Sequence, residues 1–302
     1  MKATYLLLLI GFITLPINSQ TAEEYWKNGY AKAENGDFYG AIADYTKVIE
    51  LRPDYVNAYI NRGYAKQGLK DYYGAIADFT KVIELRPDYA NAYINRGAAK
   101  GSLGDNNGAI ADFTKVIELS PDYADAYYNR GNAKDNLKNY YGAIADYTKA
   151  IELRPDYAKA YYNRGYAKQG LKDYYGAIAD FTKVIELNPD DADAYYNRGV
   201  AKGSLGDKNG AIADYTKAIE LNPDYASAYY NRGVVKSSLG DKNGSIADYT
   251  KAIELRPDDA SAYYNRGVAK YYLGDLNGAC QDGRKAQQLG RDATELINLA
   301  CN

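Results

Sequence analysis

Histidine is absent from all 302 residues, and tryptophan and methionine occur once each. Without histidine the chain lacks the usual general base and the commonest metal ligand, which argues against hydrolase triads and zinc sites. An excess of one charge is missing as well. The 37 basic and 39 acidic residues are spread evenly along the chain, leaving a formal charge of −2 and no concentrated basic face for nucleic acid. Cysteine is down to two copies, Cys280 and Cys301. Nor is there an apolar run of the ~20 residues that a spanning helix needs. The run from Tyr5 to Leu15 is shorter, is interrupted by Gly11 and is followed by Pro16. With Lys2 before it and Ile17-Asn18-Ser19 after it, the order is that of a secretory signal peptide over residues 1–19. The alternative, an uncleaved anchor, fits the short run poorly, and no cysteine follows to take a lipid. The expected mature chain is exported, periplasmic or extracellular, without an integral membrane segment.

Tyrosine is what the chain has in excess, with 35 copies. Glycine recurs at 29, 63, 97, 131, 165, 199, 233 and 267, at a constant spacing of 34 residues. The units so defined are 22–55, 56–89, 90–123, 124–157, 158–191, 192–225, 226–259 and 260–293. Each reads as two helices. Gly or Lys followed by Asp or Asn at mid-repeat, as in Gly206-Asp207, gives a helix stop and then an N-cap. The second helix carries an apolar stripe such as Ala75, Ile76, Phe79, Val82 and Ile83, and Pro87 bars its continuation.

A 34-residue helix-turn-helix with Tyr59, Gly63, Ala75, Phe79, Val82 and Pro87 in fixed order, matched by Tyr161, Gly165, Ala177, Phe181, Val184 and Pro189, resembles the tetratricopeptide repeat. The resemblance covers Ala22 to about Ala293. It implies an all-α fold, a right-handed superhelical solenoid of eight helical hairpins, and a scaffold that binds other polypeptides. The small residues Gly63, Ala65, Gly74 and Ala75 are expected where the helices of a hairpin approach.

Two positions depart from that family. The seventh is Arg from Arg62 to Arg266 and the eleventh is Lys from Lys32 to Lys270, with an answering acid on the second helix, such as Asp78 or Asp180. This predicts a ladder of partly buried Arg–Asp contacts that sets register. A polyanion-binding track is the alternative, weakened because the matched Asp already occupies the Arg.

Positions 2, 5, 6, 9, 12 and 13 fall on one side of the first helix, the side that resembles the lining of the tetratricopeptide groove. Position 6 is Asn61, Asn95, Asn129, Asn163, Asn197, Asn231 and Asn265. An amide offers donors and an acceptor, so such a ladder can pair with the backbone of an extended peptide. It is similar to the asparagine ladder of the O-linked N-acetylglucosamine transferases, within the repeat array alone. The plainer alternative is bonding to neighbouring helices or water. Position 5 is Trp26, Ile60, Ile94, Tyr128, Tyr162, Tyr196, Tyr230 and Tyr264, and tyrosine beside asparagine is the mixture found at recognition surfaces. These rings alternatively fill gaps between first helices. Position 9 varies from Tyr30 and Tyr64 through Ala98, Asn132 and Tyr166 to Val200, Val234 and Val268, so groove character should change along the array.

The expected function is a non-enzymatic scaffold that holds a protein or extended peptide, without a cofactor or metal. No phosphate loop, metal spacing or catalytic triad is visible, and no acid or base stands out as occurring at a single repeat. The alternatives are a self-assembling array or, further off, a glycan-binding module. At the C-terminal end, Asp292 and Glu295 have the form of a capping box for a short helix over residues 292–302 that covers the last hairpin. Cys280 and Cys301 are equidistant from the Gly290-Arg291 turn, which permits a disulfide and leaves two free thiols as the alternative.

Overall fold

The computed structural model describes residues 20–301; residues 1–19, the expected signal peptide, lie outside the described residues. The chain divides into two compact units, residues 1–115 and 116–302. Among the described residues all regular structure is helical. The first unit holds α1 (Ala22–Glu34), α2 (Phe38–Leu51), α3 (Val56–Gly68), α4 (Tyr72–Leu85) and α5 (Ala90–Ser102), and the division falls within α6 (Asn106–Leu119). The second unit holds α7 (Ala124–Asn136), α8 (Tyr140–Leu153), α9 (Ala158–Gly170), α10 (Tyr174–Leu187), α11 (Ala192–Ser204) and α12 (Lys208–Leu221). It continues with α13 (Ala226–Ser238), α14 (Lys242–Leu255), α15 (Ala260–Tyr272), α16 (Leu276–Gln288) and α17 (Thr294–Ala300). The helices pair as antiparallel neighbours in chain order, α7 on α8 and α9 on α10 for example, and each hairpin packs on the next within its unit.

The turns form for the reasons legible in the sequence. Asp71 accepts a hydrogen bond from the backbone N–H of Gly74 (2.9 Å), satisfying one of the free donors of α4. Asp37, Asn139 and Asp207 do the same for their helices. The residue before this cap is left-handed: Gly206 has φ +85°, and where glycine is replaced, Lys70, Lys138 and Lys172 adopt φ of 60–63° at some conformational cost. Gly63 is required by contact, since a Cβ there would stand 2.8 Å from the Phe79 ring. Gly74 differs from expectation. A Cβ on it would meet the Asp71 cap carboxylate, so this glycine serves the cap as well as the approach to Lys66.

The charged ladder is present and is richer than one base per acid. Asp78, 2% exposed, takes Nη2 of Arg62 at 2.6 Å on one oxygen and Nζ of Lys66 at 2.8 Å on the other. The remaining Arg62 nitrogen, Nη1, donates to Oγ1 of Thr46 in the preceding hairpin (3.0 Å), and the guanidinium lies 5.7 Å from the Tyr59 ring centroid. Asp180 with Arg164, Lys168 and Thr148 repeats the arrangement in the second unit. Each guanidinium so placed is already engaged by a carboxylate, a hydroxyl and a ring, which removes the basis for a polyanion track. The bond to the preceding hairpin makes the ladder a link between repeats as well as within them.

At the C-terminal end, Leu296 and Ala300 of α17 pack on Ala279 of α16. Cys280 and Cys301 form a disulfide with Cα atoms 5.1 Å apart. The expected capping box is not made. The Asp292 carboxylate accepts from the N–H of Thr294 (3.0 Å), and the residue at the start of α17 is Ala293, without a side-chain cap. The chain leaves the Gly290 turn with Asp292 bonded two residues on, so the helix begins later than residue 292 and Glu295 falls in its first turn.

Candidate peptide-binding surface

In the 116–301 unit the first helices α7, α9, α11, α13 and α15 lie side by side. Tyrosine at position 5 and asparagine at position 6 meet across them. Nδ2 of Asn163, Asn197, Asn231 and Asn265 donates to the hydroxyls of Tyr128, Tyr162, Tyr196 and Tyr230 at 3.2, 2.9, 3.0 and 3.0 Å. In each case the tyrosine belongs to the preceding hairpin. Asn197 Nδ2 also donates to the Asp193 carbonyl (2.8 Å), which orients the amide. The amide oxygens of Asn197, Asn231 and Asn265 take part in no hydrogen bond among the described residues. The ladder is therefore half engaged: its donors brace the hairpins, as the plainer reading expects, and its acceptors remain.

The tyrosine rings are half-buried and pack between helices. Tyr128 stands against Ala150 and Ala160, and Tyr196 against Ala218 and Ala228. Tyr264 lies under the Arg291 guanidinium, 4.3 Å from ring centroid to CZ carbon. Asn129 is half-buried and hydrogen-bonds no tyrosine hydroxyl. In the 20–115 unit the pattern differs, because position 5 is Ile60 or Ile94 and has no hydroxyl. Asn95 Nδ2 turns instead to the Tyr64 hydroxyl (3.0 Å) and the Asn91 carbonyl (2.7 Å), and Asn61 borders a cleft with Tyr45 and Tyr64. Trp26 stacks on Tyr30 with centroids 5.6 Å apart.

Two clefts open on the surface around α9. The larger, about 420 Å³, is bordered by Tyr128, Lys159, Tyr162, Asn163, Asp191 and Asp193. The other, about 380 Å³, is lined by Asn132, Asp135, Asn136, Tyr162, Asn163 and Tyr166. Burial, followed by Asp193 and Asp191, pushes the Tyr162 hydroxyl up to about 12, so it stays protonated at any physiological pH. Two other acids of the unit have partners. Asp125 accepts from Arg154 (2.8 Å) and the Tyr157 hydroxyl (2.6 Å), and Arg154 holds its carboxyl below the usual range against the opposing effect of burial. Asp193 accepts from the Tyr225 hydroxyl at 2.6 Å.

Asp135 is the residue that the sequence reading passed over. Position 12 is Ala33, Gln67, Gly101, Gln169, Gly203, Ser237 or Tyr271 in the other hairpins, so an acid does occur there once. Comparison of one position across the eight units carries that signal. The reading across position 9 gave Asn132 only as one member of a varying series.

Tetratricopeptide repeat patterns match residues 56–89, 124–157, 158–191, 192–225 and 214–247, and TPR repeat patterns match 29–68, 101–135 and 236–274. The chain belongs to the tetratricopeptide repeat family. This family's members are in general interaction scaffolds rather than catalysts. No curated protein matches the sequence. Among solved structures, MamA is 30% identical with a TM-score of 0.54, over 57% of this chain and 94% of its own. YrrB, described as a TPR protein with an unusual peptide-binding site, is 28% identical with a TM-score of 0.55, over 61% of this chain and 95% of its own. The C-terminal part of a TPR repeat-containing protein from Cytophaga hutchinsonii covers 80% of this chain and 98% of its own at a TM-score of 0.69; at 21% identity it is similar in fold. No described helix is long and apolar enough to cross a membrane, and no described group of three or more His, Cys, Asp or Glu residues is placed to hold a metal ion.

Proposed function

We propose that this protein is an exported scaffold that binds an extended peptide segment along the first-helix face of its 116–301 unit. The observation that carries the reading is the row of Tyr–Asn pairs. Each pair fixes an amide by its nitrogen and leaves the amide oxygen as a regularly spaced acceptor for peptide N–H groups. Half-buried tyrosine rings beside these acceptors supply rigid apolar area at little entropic cost. The peptide-binding site named for YrrB supports the same use of a similar array.

The test separates the acceptors from the internal bonds. A displayed library of random peptides is selected on the full chain, and the binders are measured against two triple variants. Asn197→Ala, Asn231→Ala and Asn265→Ala together remove acceptors and internal bonds. Tyr162→Phe, Tyr196→Phe and Tyr230→Phe remove the internal bonds and keep the acceptors. Loss of three acceptors should weaken binding by about tenfold or more, at roughly 0.5–1.5 kcal/mol each, while the phenylalanine variant holds its affinity. Equal losses in the two variants would reduce the ladder to a structural brace.

Export rests on the apolar run at Tyr5–Leu15 and is supported by the Cys280–Cys301 disulfide, which persists in oxidising compartments. Cell fractionation, followed by intact mass of the recovered protein with and without reductant, reads both features at once. Recovery in the cytoplasmic fraction alone, with residues 1–19 retained and two free thiols, would overturn export.

A further inference from the structure

We infer that the cavity between α7 and α9 is a side-chain pocket for a lysine or arginine of the bound segment, with Asp135 as its counter-charge. The inference rests on the peptide-binding reading and names what one subsite of that surface selects.

The cavity has the parts that cation recognition needs. Asp135 stands on α7, and its Oδ1 is buried with no hydrogen-bond partner. An unpartnered, desolvated carboxylate oxygen is costly to keep, and burial correspondingly raises its pKa while Lys138 acts in the opposite direction. Lys138 is the nearby base, on the exposed turn that follows α7, and it forms no ion pair with Asp135. From α9 come two rings one helical turn apart, Tyr162 and Tyr166, and Tyr166 is 54% exposed. A cation held against tyrosine rings and next to a carboxylate gains from both.

The polar wall is already arranged. Asn132 Oδ1 accepts from the buried Tyr147 hydroxyl (2.9 Å) and from Asn163 Nδ2 (2.8 Å), so these groups hold each other and leave Asp135 Oδ1 as the acceptor without a partner. The adjoining cleft carries Asp191 and Asp193 against Lys159, so the chain around the pocket is weighted towards acid. At about 380 Å³ the cavity admits a long, thin basic side chain. The other hairpins have no acid at position 12, which makes this a subsite of one register rather than a repeated feature. A structural role fits Asp135 poorly, because its inward oxygen satisfies nothing in the folded protein.

The experiment selects the same displayed random library on wild type, Asp135→Asn and Tyr166→Ala, and follows thermal unfolding of each. Wild type should enrich peptides with Lys or Arg at one fixed register. Replacing that residue by norleucine, which keeps the stem and removes the charge, should cost about tenfold in affinity. Asp135→Asn should abolish the basic preference, keep other enriched positions, and leave Tm equal or higher. Tyr166→Ala should weaken the preference without unfolding. Binders with no basic register, or a basic preference untouched by Asp135→Asn, would overturn this pocket and leave peptide binding standing. A lowered Tm for Asp135→Asn would mark the residue as structural and overturn it as well. Failure of the library to enrich any peptide would overturn both readings.

Discussion

The two units fill the same slot in the repeat with different chemistry. In the 20–115 unit Ile60 packs with Val82, Tyr59 and Ala92, an aliphatic contact without polar atoms between the facing positions. In the 116–301 unit the corresponding pairs are Tyr196 over Ala218 and Tyr230 over Ala252. Enlarging one partner while shrinking the other conserves volume, which is how a core tolerates substitution. The tyrosine solution adds a hydroxyl, and that hydroxyl fixes the asparagine of the next hairpin. A packing choice thus becomes a choice about surface chemistry. Hairpin 158–191 departs from the compensation by carrying both Tyr162 and Val184, and these two residues border the larger cleft.

The largest effect should fall equally on the two units, because both carry the same charged triad. Asp78→Ala and Asp180→Ala each strand an arginine and a lysine that are mostly buried, and each should cost about 3–5 kcal/mol in urea unfolding. A markedly smaller loss in one unit would show that the ladder holds them differently. Next in size is a transplant of the tyrosine solution. Ile60→Tyr alone should overpack the first unit by about 1–3 kcal/mol, and adding Val82→Ala should recover part of that loss. Additive losses would deny that the two positions compensate.

Tyr162→Phe isolates the hydroxyl. It removes the bond to Asn197 while keeping the ring, and should cost about 1 kcal/mol. Tyr64→Phe, at a 45% exposed ring in the other unit, should cost less. The smallest effect is a pH dependence that the 116–301 unit has through Asp125, where the first unit has Glu23, Asn57 or Asn91 at the same position. Arg154 and Tyr157 lower the folded pKa of Asp125, so the unfolded chain binds the proton more readily. Its stabilisation is present above the ordinary value of about 3.9 and is lost as pH falls through the lower folded value. The urea midpoints of wild type and Asp125→Asn should therefore differ at neutral pH and converge once the pH has fallen below the lowered folded value. A gap that persists there would assign the effect to packing.

The period of 34, the caps and the proline stops determined the helical hairpins from the chain alone, because each is a local property of backbone and side chain within a few residues. The Arg–Asp contact was legible for the same reason: it recurs at a fixed separation in seven of the eight repeats. That Lys66 shares Asp78, and that Arg62 reaches back to Thr46, depended on which atoms three helices bring within 3 Å. The asparagine ladder shows the boundary most clearly. Its residues and spacing were in the sequence, whereas the division of labour between nitrogen and oxygen was set by where the preceding hairpin's tyrosine hydroxyl comes to rest. The unpartnered oxygen of Asp135 is likewise a tertiary fact, since a carboxylate is left alone only by the arrangement of everything around it. Repetition makes local structure readable from the chain, but contacts between helices are decided by distances of a few tenths of an ångström that no spacing rule contains.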